Sequence, residues 1–358
     1  MARSLQLLGL GNALVDIEFT VREEELRATG LRKGGMTLVD SAAQQALLHT
    51  LLLNHRGRLS SGGSAANTIV AFAQFGGTGG YMSALGQDEH GDFFAGEFAQ
   101  LGIALFAERI TNEPTGTCVV LVTEDGERTM QTCLAASDCF NRAMLDRRAI
   151  EHAEWLYVEG YKLTSPHGAE AAREAIYLAR KEGVRVALSF SDAFVVTSCR
   201  EHIKFLLHEV DMVFCNDREA CAYFDTDNPN DAFAELCGQI PNVVFTLGPH
   251  GSMVRVEGVQ ARIPAYPTTV VDTNGAGDMY AGAFLYGLLH RWGVERSGHA
   301  ASSAAAQIVA QYGARYHGDH RRLISSGLDV QRIGESVVGN DSPPNPARSS
   351  PREFSSDL

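Results

Sequence analysis

Asp272-Thr-Asn-Gly-Ala-Gly-Asp278 runs directly into Met279-Tyr-Ala-Gly-Ala-Phe-Leu-Tyr-Gly-Leu-Leu289, and this join constrains the chain more than any other stretch. The second half reads as an apolar helix built on small residues. Gly275, Ala276 and Gly277 therefore sit at a helix N-terminus, where free N–H groups and the helix dipole suit an anion. Their small side chains let a phosphate touch the backbone. Asp278 falls in the first turn, beside whatever those amides hold. A carboxylate there would repel a phosphate unless it had a task, and general base is the obvious one. A lone Asp at such a place more often just complements the dipole, but the specified string around Asp278 weakens that reading.

Short apolar runs at 5–11, 155–158, 184–190, 211–215 and 243–247 read as buried strands that meet polar loops. Residues 67–75 have near-helical spacing, and 169–181 reads as a helix that stops at Gly183. Strands alternating with helices predict an α/β fold with a parallel sheet covered on both faces. Hairpin-like pieces near 14–21, 34–40 and 104–134 break that rhythm, the last around the turn Glu124-Asp125-Gly126. They predict a small β excursion, assigned to about 13–40 and 104–134. One domain then covers 1–335. Residues 336–358, rich in Pro and Ser, hold too little apolar content to pack and are expected to be disordered.

Charge narrows the partners. With 43 acidic and 30 basic side chains the formal net charge is −13, which argues against binding nucleic acid or an anionic membrane non-specifically. Seven cysteines without a CxxC pair read as reduced thiols. No apolar run reaches membrane-spanning length, since 279–289 is followed by His290 and Arg291. Asp16 and Glu18 come too soon after the first apolar run for a signal peptide. The expectation is a cytoplasmic globular protein. The twelve histidines show no metal-binding spacing.

These residues resemble the ribokinase-like (PfkB) family of carbohydrate and nucleoside kinases. The string 272–278 is similar to that family's C-terminal signature, and Gly62-Gly63-Ser-Ala-Ala-Asn67 to its N-terminal one. The resemblance spans residues 5 to about 318. It implies a doubly wound, mostly parallel α/β domain with a β-sheet lid over the acceptor. Within the family the adenosine kinases are the most similar, through Gly11-Asn-Ala-Leu-Val-Asp-Ile17, Asn112-Glu-Pro-Thr-Gly-Thr-Cys118, Leu188-Ser-Phe-Ser-Asp-Ala-Phe194 and Asn216-Asp-Arg-Glu-Ala220. That implies ATP-dependent phosphorylation of the 5′-hydroxyl of a nucleoside, adenosine to AMP, with ATP and Mg²⁺ as cofactors.

On this resemblance Asp278 acts as base, and the amides of Gly275, Ala276 and Gly277 stabilise the transferring group. Arg128 falls where adenosine kinases carry a lid arginine that reaches phosphate. Asn12, Asp16, Gly62, Gly63 and Asn67 are the acceptor-binding candidates. A carboxylate can accept from two vicinal hydroxyls, and glycine lets a sugar ring lie on the backbone. Asn216 and Glu219 match a family motif tied to Mg²⁺ and phosphate placement, with Glu219 able to act through water. The same spacing also suits a helix cap. Thr246, Gly248 and Gly251 resemble the family's nucleotide-binding turn, with Thr273 assigned to the same nucleotide. Tyr161 takes the place of a ring against the base. Leu134, Ala136 and Phe194 either line that pocket or pack in the core.

Rivals stay open. A sugar kinase acting on fructose, ribose or a keto-deoxy sugar acid would share fold and reaction. Residues 31–40 look more like bacterial sugar-kinase lids, and Lys162 replaces an aromatic residue expected after Tyr161. Inosine or guanosine could replace adenosine. A non-catalytic binding protein would be expected to lose Asp278, Gly275 or Gly277, and all are present. A dinucleotide oxidoreductase lacks its third glycine after Gly9-Leu-Gly11. Monovalent-cation activation stays open, as does the choice between a monomer and a lid-mediated homodimer.

Overall fold

The computed structural model describes residues 3–320 and 322–323; the tail expected over 336–358 lies outside the described residues. Along the chain the strands are β1 (Leu5–Leu10), β2 (Leu14–Thr20), β3 (Met36–Leu38), β4 (Arg58–Gly62), β5 (Gly79–Gly86), β6 (Ala104–Ile110) and β7 (Gly116–Val122). They continue with β8 (Arg128–Cys133), β9 (Ala153–Glu159), β10 (Arg185–Ser189), β11 (Met212–Asn216), β12 (Asn242–Thr246), β13 (Ser252–Val256) and β14 (Val259–Ile263). Nine form a large sheet in the order β14-β13-β12-β11-β10-β9-β1-β5-β6, and five a small sheet in the order β3-β8-β7-β2-β4.

From β12 to β6 the large sheet is parallel, and β13 and β14 close one edge as an antiparallel hairpin. Parallel strands need crossover connections, which place helices on both faces. Side-chain alternation along β9 then feeds two cores. Trp155 and Tyr157 pack with Phe72, Phe284 and Ala304 on one face. Leu156 and Val158 pack with Ile176, Leu188 and Phe245 on the other. Strand order reverses around β1, which lies between β5 and β9. Such a switch point opens a crevice at the carboxyl ends of the strands.

The small sheet differs from the expected 13–40 and 104–134. Residues 104–110 form β6, the edge of the large sheet, paired in parallel with β5 from Gly80↔Ala104 to Gly86↔Ile110. The helix Glu89–Gln100 between them supplies the crossover that a parallel pair requires. In place of β6 the small sheet takes β4, antiparallel to β2. The turn at Asp125-Gly126 joins β7 and β8 as expected, with Gly126 at φ 81°.

All seven residues of β7 are buried. Val119 and Leu121 belong to the main core with Leu47 and Leu51 of the helix Ser41–Leu52. Cys118, Val120 and Val122 form a separate apolar patch with Met130. One face of the small sheet is thus covered by a helix, and part of the other is left to wall a cavity.

Phe245 of β12 is fully buried and meets Phe233 edge-on at 5.6 Å. Phe245→Ala is expected to cost about 3–5 kcal/mol in urea unfolding. A loss below about 1 kcal/mol would contradict the packing described for that face.

Candidate functional site

A cavity of about 330 Å³ lies between the carboxyl ends of the large sheet and the small sheet. Asn12, Glu159, Ser189, Asn216 and Thr246, at or just past the ends of β1, β9, β10, β11 and β12, line one side. Met36, Leu38, Cys118, Val120 and Met130 of the small sheet line the other. Asp16, Asn67 and Asp278 lie on its wall as well.

Asp278 sits in the first turn of the helix Ala276–Leu289, whose N-cap Gly275 adopts φ 74°. A side chain at Gly275 would also lie 2.5 Å from the Ala314 carbonyl oxygen, so only glycine suits both the turn and the neighbouring chain. Ser64 Oγ donates to Asp278 Oδ1 at 2.7 Å, and Asn67 Nδ2 donates to Oδ2 at 3.2 Å. Burial raises the Asp278 carboxyl from 3.8 to about 6, against the pull of these two bonds and of Arg315. The group is half-buried, enclosed by protein except where it meets the cavity.

Asp16 on β2 is pushed up to about 7 by burial, with Arg315 and Arg128 opposing. Gly62 lies beneath it, and a side chain there would strike its carboxylate. Gly63 has φ 104°, and a side chain would collide with the Asn12 carbonyl, so the loop requires glycine. Asn12 and Asn67 are both buried.

Glu159 ties these loops together. Its Oε1 accepts from the Asn12 amide at 2.6 Å and its Oε2 from the Ala65 amide at 2.8 Å. Lys162 donates from Nζ to Asn12 Oδ1 and to the Ser137 carbonyl, each at 3.0 Å. Burial drives the Glu159 carboxyl up and the Lys162 ammonium down. Lys162 is therefore a structural cation under the site rather than a missing aromatic.

Several expected residues stand elsewhere. Gly275 and Gly277 face the cavity but Ala276 does not, and its N–H turns to the Thr273 carbonyl at 3.3 Å. Arg128 lies off the cavity wall. Its Nη2 reaches Glu18 at 2.9 Å and Asp272 at 2.7 Å, as a buried guanidinium requires. Leu134 and Tyr161 line the cavity, whereas Ala136 is packed in the core and Phe194 is 47% exposed outside it. Gly248 and Gly251, at φ 54° and 84°, shape the turn between β12 and β13, closed by a Leu247 N–H bond to the Gly251 carbonyl at 2.7 Å. They and Thr273 are not on the wall, although Thr246 is.

Asn216 and Glu219 line the cavity and form the capping box that their spacing allows. Asn216 Oδ1 accepts from the Glu219 amide at 2.8 Å, while Glu219 Oε2 accepts from the Asn216 amide at 3.0 Å. Asn216 Nδ2 donates to Glu219 Oε1 at 2.7 Å. Burial raises Glu219 to about 8. Among the described residues no group of three or more His, Cys, Asp or Glu could hold a metal ion.

Residues 36–320 match the family model for pfkB family carbohydrate kinases. The chain belongs to that family. As a member it is a kinase, and ATP use is general to the family. An adenosine kinase from Sinorhizobium meliloti is 30% identical, with a TM-score of 0.83 over 90% of this chain and 99% of that one. The adenosine kinase of Saccharomyces cerevisiae is 28% identical over 87% of this chain and 96% of its own length. A 5-dehydro-2-deoxygluconokinase from Shouchella clausii is 26% identical over 70% of this chain and 81% of its own. No helix among the described residues of the kinase is long and apolar enough to cross a membrane.

The sequence reading missed Ser64, Glu159 and Arg315. Ser64 was legible inside the quoted Gly-Gly-Ser string, but the other two carry no local motif.

Glu219 yields a titration with a definite sign. Its folded pKa near 8 exceeds the ordinary glutamate value of 4.5, so its contribution to stability is full below 4.5 and is lost as pH rises through 8. Gln preserves the capping-box bond to the N-cap amide. Glu219→Gln is expected to gain melting temperature over wild type progressively from pH 5 to 8, then level off. A difference that does not change with pH would contradict the burial of this carboxyl.

Proposed function

We propose that this kinase transfers the γ-phosphoryl group of ATP to the 5′-hydroxyl of a nucleoside, with adenosine as the preferred acceptor. The observation that carries the reading is the placement of Asp278 and Asp16 on one cavity whose opposite wall is apolar. Asp16 accepts hydrogen bonds from the sugar hydroxyls, with Asn12 and Gly63 beside it. A flat base then lies against Tyr161, Leu134 and the small-sheet residues Cys118 and Val120, a surface that a free sugar would leave uncovered.

Asp278 removes the hydroxyl proton as the oxygen attacks the γ-phosphorus and ADP departs. The N–H groups of Gly275 and Gly277 at the helix N-terminus stabilise charge on the group in transfer. Thr246 and Asn216 face the nucleotide side. Glu219, on the cavity wall, would act on a Mg²⁺ through water. That ion would neutralise phosphate charge.

A free-sugar acceptor is the second reading, favoured by the likeness to a 5-dehydro-2-deoxygluconokinase. ADP release across a panel of nucleosides and sugars separates the two. Adenosine is expected to give the highest kcat/KM, and activity on fructose or a keto sugar acid with none on any nucleoside would overturn the acceptor. Asp278→Asn is expected to lower kcat by about 10²–10⁴-fold while nucleoside binding persists. Wild-type turnover in that variant would remove the base.

A further inference from the structure

Arg315 follows the helix Val294–Ile308, far in sequence from the glycine loop at 62–63. Its side chain is only 11% exposed and sits between Glu97 on one side and Asn67 on the other. Arg315 Nε donates to Asn67 Oδ1 at 3.2 Å, and Asn67 Nδ2 donates onward to Asp278 Oδ2 at 3.2 Å. The chemistry of the three groups fixes the direction of this chain. A guanidinium only donates and an ionised carboxylate only accepts, so the amide between them has one satisfactory orientation.

The backbone around Arg315 is anchored to the same site. Gly313 N–H donates to Asp272 Oδ2 at 2.8 Å, and Ala314 lies directly against Gly275. Gln311 Nε2 donates to the Arg315 carbonyl at 2.6 Å. On its far side Arg315 Nη1 is 3.6 Å from Glu97 Oε2, which also accepts from the Ser61 amide at 2.7 Å. The guanidinium lies 6.0 Å from the centre of the Phe98 ring. Segment 311–315 thus straps the signature loop to the glycine loop.

We propose that Arg315 is a positioning residue for phosphoryl transfer: through Asn67 it fixes the orientation of the Asp278 carboxylate and holds it in its proton-accepting form. The inference rests on Asp278 being the base. The charged and phenolic groups that act with Asp278 are Asp16 on β2, Tyr157 and Glu159 on β9, Tyr81 on β5, Tyr161 after β9, and Glu219 on the helix Asp217–Phe224. All of these are acids or phenols; Arg315 is the cation that lowers Asp278, while Arg128 also acts on Asp16 and Lys162 on Glu159. Glu97 sets how much of its charge is already compensated.

The test is the pH profile of kcat/KM for ATP-dependent phosphorylation of adenosine, or of the best acceptor from the panel. Arg315→Gln is expected to move the acid limb up by about one pH unit and to lower kcat with KM for ATP unchanged. Arg315→Lys is expected to return the limb towards its wild-type position. Glu97→Gln leaves Arg315 less compensated and is expected to move the limb down by a few tenths. Opposite signs from the two neutral variants would not arise from general loosening of the fold. A folded Arg315→Gln enzyme with the wild-type limb would overturn the proposal. Should that variant not fold, an unmoved or raised limb in Glu97→Gln would do so. Asp278→Asn separates the two levels, since an active Asp278→Asn enzyme defeats the base itself, whereas an inactive one with unmoved limbs in the Arg315 and Glu97 variants defeats only Arg315.

Discussion

Ser64 Oγ reaches Asp278 Oδ1 at 2.7 Å across a separation of 214 residues, and Asn67 closes on the second oxygen. The two helices that carry these groups open at Gly63 and Gly275, both in backbone conformations that side chains disfavour. The glycines bring the two helix starts to one cavity without side chains filling it. Burial of the carboxylate then raises its proton affinity, while two donors and a buried arginine keep it from becoming a plain acid. The balance places Asp278 near the working range of a general base.

The rest of the site follows from that join. Glu159 accepts from one amide just after β1 and one just after β4, so β9 fixes the distance between Asn12 and Ala65. Asp272 receives the Gly313 and Asn274 amides and the Arg128 guanidinium, which links the small sheet to the signature loop. Arg128 also holds Glu18 on β2, the strand that carries Asp16. The small sheet is therefore joined to the signature loop by buried charge. Breaking one member of such a pair leaves its partner buried and uncompensated.

What the sequence disclosed is what chemistry writes locally. A glycine string before a small-residue helix states both an anion-binding turn and its helix, so Gly275, Gly277 and Asp278 were legible together. Asn216 and Glu219 were legible because three-residue spacing encodes a cap. β6 was misplaced because an edge strand with a mixed exposure pattern resembles a hairpin piece, and only the preceding helix Glu89–Gln100 identifies a parallel crossover. Arg315 and Glu159 were hidden for a different reason. Their partners lie 248 and 147 residues away, and nothing in the neighbouring residues marks a buried charge. Arg128 looked like a phosphate ligand because sequence carries no record of Asp272 and Glu18 facing it.

The fold holds the Asp278 carboxyl where burial lifts its proton affinity towards neutral pH. Carboxyl-carbon NMR titration of protein labelled at aspartate measures this directly, with Asp278→Asn identifying the resonance. A resonance absent from the variant is expected to titrate near pH 6. A resonance titrating near the ordinary aspartate value of about 3.9 would contradict it.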